Sequence, residues 1–127
     1  MSRYIQPLFK CLAIALLIAI VVLSVVPAEL RPETDVPHDI EHGAIFALFG
    51  IALVLGYRLR FLTWVMLGPL FAAAIELAQL YIPGRHSRLS DFLVDAAGVL
   101  LGSECAVLVL KIYRTWVARE RREGSAI

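Results

Sequence analysis

The sequence predicts an all-α polytopic membrane protein, a bundle of four transmembrane helices forming one domain over residues 1–127. Three observations predict it. The chain is 60% apolar and 18% charged, where ordinary soluble domains sit near ~45–50% and ~25%. Its apolar residues fall into four long runs that are almost free of charge. Those runs lack the charged face that surface helices of a soluble bundle carry. Backbone in hydrocarbon must satisfy its own hydrogen bonds, so each run is expected to be a helix. The same composition excludes a disordered chain. A net charge of +1 gives no pull toward nucleic acid.

The first helix is expected over about residues 10–28, where Cys11 to Ala28 is free of charge. A bilayer core needs about 20 helical residues. Arg3 and Lys10 with Val26-Pro27-Ala28 also fit a secretory signal. The long apolar stretch, and Pro27 beside the cleavage position, favour a retained helix. The second helix is expected over about 37–57. Gly43 to Tyr57 alone is fifteen residues and reaches only ~22 Å. Pro37 suits a first turn, with Asp35 as a cap. The third, about 61–82, is interrupted by Glu76 and stopped by Pro83-Gly84. The fourth, about 91–113, carries Asp95 and Glu104. Ser90 is its expected cap, and Asp91 sits at the positive end of its dipole. A basic cytoplasmic tail, about 114–127, is expected to prolong this helix, with Arg119 and Glu123 paired at i, i+4. Cys11 and Cys105 read as reduced packing residues without a disulfide framework.

Basic residues favour the cytoplasmic side of a membrane. With both termini inside, Arg3, Lys10, Arg58, Arg60, Lys111, Arg114, Arg119, Arg121 and Arg122 are cytoplasmic, and Arg31, Arg85 and Arg88 are outside. The expected location is therefore the cytoplasmic membrane of a prokaryote, multi-pass, N-in and C-in. Tyr57, Trp64, Tyr113 and Trp116 then fall at inner helix ends, as an aromatic belt does.

That orientation gathers the remaining ionisable residues in the extracytoplasmic half. Charges within spans are costly and usually functional. Asp39 and His42 share a face that continues through Phe46 and Phe49. Glu76 and Gln79 share a face with Ala72 and Gly68. Asp91, Asp95, Gly98 and Gly102 form one stripe at i, i+4, i+7 and i+11. Gly98 and Gly102 are expected to pack against another helix. The loop before the fourth helix adds Arg85 and Arg88. The expected ligand-binding set is Asp39, His42, Glu76, Gln79, Arg85, Asp91 and Asp95, around a polar cavity that opens outward. The plainer alternative is a buried ion-pair network. Glu104 is separate: it lies about 180° around the helix from Asp95 and nearer the cytoplasm, placed either to mark a partner helix or to reach toward Lys111.

Three of these motifs resemble the VanZ-like family. Asp39-Ile40-Glu41-His42 with Phe46 and Gly50 resembles its opening motif. Glu76-Leu77-Ala78-Gln79 resembles its Glu-x-x-Gln. Pro83-Gly84-Arg85 with Asp91, Asp95, Gly98 and Gly102 resembles the motif around its last helix. The match runs from about Asp39 to Gly102. This chain departs at Asp95, where the family often has Asn, and at Glu41, where Lys is frequent. Both changes make the site more acidic. The resemblance implies a small multi-pass membrane protein. The family's founding member is associated with low-level resistance to the glycopeptide teicoplanin.

The chain holds no Gly-rich phosphate loop, no H-E-x-x-H and no G-x-S-x-G. No metal or other cofactor is expected, since His42, Glu76, Asp91 and Asp95 match no common ligand spacing. Three readings remain. The favoured one is a non-catalytic binding protein. Arg85 and Arg88 would grip a carboxylate or phosphate of an envelope lipid precursor or a glycopeptide antibiotic. The second is an enzyme on a lipid-linked substrate, with His42 or Glu76 as acid/base. The third is a proton-coupled carrier using Glu76 and Asp95, which needs a homo-oligomer to supply enough helices. Membrane lipids are partners in all three, and nucleic acid in none.

Overall fold

Each charge-poor run forms one helix in a computed structural model, which describes residues 5–26, 37–57, 61–82 and 88–124. The helices are α1 (Ile5–Val25), α2 (His38–Tyr57), α3 (Phe61–Gln79) and α4 (Leu89–Gly124). All four are long and apolar enough to cross a membrane. Among the described residues there is no strand.

Local chemistry sets the ends. α1 starts at Ile5, five residues before the expected position. Pro7 allows this, because a proline in the first turn lacks an N–H that would have no helical partner there. Gln6 anchors that turn by donating from Nε2 to the Gly56 carbonyl at 3.2 Å. α2 starts where the Pro37 carbonyl accepts from the amides of Ile40 and Glu41 at 2.9 and 3.3 Å. Asp39 and Glu41 lie in its first turn, where the helix dipole favours anions. α3 contains Pro69 without breaking, which membrane helices tolerate. It ends at Gln79 rather than near residue 82. Amides 80, 81 and 82 each bond three residues back, the tighter turn common at helix ends.

α4 differs from expectation at its start. The Arg88 carbonyl accepts from the amides of Asp91 and Phe92 at 3.0 and 3.3 Å. Ser90 is therefore inside the helix, not its cap, and its Oγ donates to Asp91 Oδ1 at 2.9 Å. At the other end α4 runs on to Gly124, and Arg119 Nε lies 3.2 Å from Glu123 Oε1.

α2 lies between α1 and α4, and α3 is carried chiefly by α4. Two apolar clusters fill the interior. One joins Ile20, Phe46, Phe49, Ala72, Ile75, Ala96 and Val99, and so draws on all four helices. The other joins Val54, Trp64 and Ala106. Phe71 leans on the first, with its ring 6.0 Å from Phe46 and 5.3 Å from Phe49. These tilted pairs are the arrangement aromatic quadrupoles prefer. Outside the clusters, large apolar side chains are exposed on every helix, with 74% at Leu89 and 70% at Leu62. In lipid such a surface needs no cover.

Two expectations are corrected. Trp64 does not join a lipid-facing belt. It is buried beside Val54 and Ala106. Cys11 and Cys105 are not packing residues, since both are exposed. Around Cys11 and Trp64 the helix is apolar on nearly every side, so hydrophobic periodicity does not mark the inward face.

Candidate functional site: a polar layer capping the bundle core

The close approach of α2 and α4 comes first, because it positions everything else. Gly43, Ala47 and Gly50 on α2 face Gly98, Gly102 and Ser103 on α4. A Cβ added at Gly98 would meet the Gly43 carbonyl oxygen at 2.6 Å. One at Gly102 would collide with the Ala47 carbonyl oxygen, and one at Gly50 with that of Val99. The two backbones therefore touch, as small residues permit in membrane helices.

That contact brings two short side chains together. His42 Nδ1 lies 3.2 Å from Asp95 Oδ1 and 3.4 Å from Oδ2. The two side chains share a hydrogen bond whose direction follows the histidine tautomer. His42 is 7% exposed and Asp95 is fully buried. Burying either charge alone would be costly, and the partner is what offsets it.

The pair belongs to a layer. Ile20, Phe46, Ala72 and Val99 sit in one apolar cluster, one from each helix. One turn beyond each, at the end where α1 and α3 finish and α2 and α4 begin, stand Ser24, His42, Glu76 and Asp95. All four are buried, with Ser24 and Glu76 each at 4% exposure. Gln79, a further turn along α3, is 3% exposed. Its Nε2 has no hydrogen-bond partner among the described residues. Each helix thus contributes a polar side chain at one level, directly on the apolar core.

The other predicted residues lie at the rim or outside the described residues. Asp39 is exposed, and Asp91 is half-buried under the Ser90 hydroxyl. Arg88 is exposed. Arg85 lies outside the described residues. Hence the structure brings together His42, Glu76, Gln79 and Asp95 in a buried layer and leaves Asp39 and Asp91 at its edge. Among the described residues no three His, Cys, Asp or Glu side chains converge as a metal site.

Two buried hydroxyls were absent from the sequence-based set. Ser24 is the only hydroxyl in the first charge-free run, and that isolation near a span end was the available signal. Ser103 is fully buried against Gly50, and its Oγ has no hydrogen-bond partner among the described residues. Nothing in its spacing distinguishes it from its neighbours.

A family model described as VanZ/LLP1 matches residues 9–111, which take in the polar layer and both apolar clusters. No curated protein and no solved structure matches the chain.

Proposed function

The chain belongs to the VanZ/LLP1 family, and on that premise we propose that it binds the polar part of an amphiphilic or anionic ligand through the layer formed by His42, Glu76, Gln79 and Asp95. The bundle stands in the cytoplasmic membrane with both termini inside, so the layer faces the envelope. The ligand is an envelope lipid precursor or a glycopeptide antibiotic such as teicoplanin. Arg88 at the rim, with Arg85 three residues before it in the sequence, offers donors to its phosphate or carboxylate. Asp39 and Asp91 at the edge of the layer accept from its hydroxyl or amine groups.

The observation that carries this reading is the Gln79 carboxamide. A buried side-chain amide donor without a partner costs about 1–3 kcal/mol. A bound acceptor removes that cost. Buried polar layers that are structural in purpose are normally satisfied within the protein.

The test combines a deletion strain with binding to purified protein. The strain is profiled for envelope-lipid changes and teicoplanin sensitivity. Variants Gln79→Leu, Arg85→Ala and Arg88→Ala are expected to lose complementation, and to weaken binding of teicoplanin or of a polyprenyl-pyrophosphate lipid. Full complementation by all three, with unaltered lipid profiles, would leave the layer a structural network.

One observation favours a second reading. Asp95 lies within hydrogen-bond distance of His42 Nδ1, the arrangement by which a carboxylate orients a general-base histidine. An enzyme acting on a lipid-linked substrate would use it so, with Glu76 as the second acid/base group. Under that reading His42→Ala abolishes turnover while leaving affinity nearly intact. Loss of affinity in step with function supports binding instead.

A further inference from the structure

Glu104 belongs to neither the polar layer nor the basic tail. It is exposed on α4, and among the described residues no hydrogen bond or ion pair engages it. Its depth is set by its neighbours. Ala106 packs with Val54 and Trp64, each one turn inside the helix ends at Tyr57 and Phe61. Glu104 is two residues deeper still, and seven residues, about 10 Å, from Lys111. Helical side chains lean toward the N-terminus, so its carboxyl leans away from the nearer end of the bundle. Ionisable groups at such depth almost always face protein or a polar cavity. On this helix the group faces outward, so its partner belongs to another molecule.

The surface around it has the form of a helix-pairing seam. Ala97, Leu101, Glu104, Leu108, Lys111 and Thr115 alternate at steps of four and three, and all are exposed. That is the period of two helices packed along their length. At the level of Glu104 the rest of the surface is apolar. α1 presents Ile14 and Leu17, and α3 presents Met66 and Leu67. α2 holds only apolar residues from Leu48 to Leu55. Among the described residues at that depth, a second copy inserted with the same topology offers Glu104 the weakly polar Cys105 beside it and its own Glu104. Like meets like at one depth only across a two-fold axis normal to the membrane.

We propose that two copies of this chain pair through their α4 seams, with the Glu104 carboxyl groups hydrogen-bonded to each other across that axis. A protonated carboxyl both donates and accepts, so the pair is self-complementary. The inference does not depend on which ligand the polar layer takes.

The test uses full-length protein in proteoliposomes at low protein-to-lipid ratio, in a Cys11→Ala, Cys105→Ala background. A single cysteine is introduced by Leu101→Cys or Leu108→Cys on the seam, or by Leu70→Cys on the outer face of α3. Oxidation is expected to give a species of twice the chain mass from the two seam positions and little from α3. Glu104→Gln keeps a group that donates and accepts, and is expected to preserve the yield. Glu104→Leu is expected to weaken pairing about fivefold, the scale of one interhelical hydrogen bond in a bilayer. Because Glu104 is exposed, neither change perturbs the fold, and each variant's melting temperature checks this. Equal yields from the α3 and seam positions, or an unchanged yield with Glu104→Leu, would overturn the proposal.

Discussion

Replacing Asp95 by leucine removes the Nδ1 partner of the buried His42 imidazole, and replacing His42 by leucine removes the partner of the buried Asp95 carboxyl group. Removing one member of a buried pair costs roughly 3–5 kcal/mol, whereas removing both can be nearly neutral. Asp95→Leu and His42→Leu are each expected to destabilise the protein by about that amount. The double variant should lose clearly less than the sum. Asp95→Asn keeps a side-chain amide for Nδ1, so its expected loss is nearer ~1 kcal/mol. Equilibrium unfolding in detergent micelles measures all four, and an additive double variant would show that the two side chains do not interact. This pair also shows what the sequence made legible. Asp95 stood out as an ionisable residue inside an apolar run, and His42 as one in the outer turns of the expected second helix. Their partnership did not, because they are separated by 53 residues and belong to different helices. The acidic departure from the family pattern at Asp95 has a physical counterpart here, since the added carboxylate meets an imidazole.

At the scale of elements, the α2–α4 contact decides how close the polar side chains come. A methyl group at Gly102 would run into the Ala47 carbonyl, which is backbone and cannot move alone. One at Gly68 meets only Val99 Cγ1 and Cγ2, at 2.8 and 3.1 Å. Overpacking of this kind costs about 1–3 kcal/mol. Gly102→Ala and Gly98→Ala are expected at the upper end of that range and Gly68→Ala at the lower end, by thermal unfolding in micelles. The helix shift should also loosen the His42–Asp95 contact, so Gly102→Ala is expected to reduce ligand binding more than Gly68→Ala does. The far end of α4 behaves differently. From Lys111 to Glu123 its side chains are exposed or half-exposed, and the Arg119–Glu123 pair is 82% and 70% exposed. Such pairs contribute only ~0.3–0.5 kcal/mol. Truncation after Thr115 is therefore expected to leave the melting temperature of the bundle essentially unchanged. A shift of several degrees would reveal contacts between the tail and the bundle. Helix existence was readable from the charge-free runs and from the proline stop after α3. Inward faces were readable only where polar or small residues interrupted the run. Trp64 and Cys11 lay in stretches apolar on nearly every side, and there the pattern carries no phase.

For the whole molecule, one geometric fact joins fold to function. The chain crosses the bundle four times, and the polar residue of each helix falls at the same end. Ser24 and Glu76 come near the C-terminal ends of α1 and α3, while His42 and Asp95 come near the N-terminal ends of α2 and α4. Reversal of direction at each crossing turns these opposite positions into one level. The opposite end carries Lys10, whose Nζ lies 5.6 Å from the centre of the Tyr57 ring, and the basic extension of α4. The proposed orientation rests on charge: with both termini inside, the sequence assigns nine of the twelve basic residues to the side of the termini, and basic residues are retained on the cytoplasmic side. A fluorescent protein fused after Ile127 is therefore expected to fluoresce, and alkaline phosphatase fused there to be inactive. Phosphatase inserted between Gly84 and Arg85 should be active. Substituting Arg58, Arg60 and the tail arginines with glutamine removes the bias, and is expected to give a mixed population in both assays. The opposite outcome, active phosphatase at Ile127, would turn the polar layer toward the cytoplasm. Glycopeptides and envelope precursors exposed on the outer face could then not reach His42 and Asp95, and the ligand would have to be sought among cytoplasmic amphiphiles.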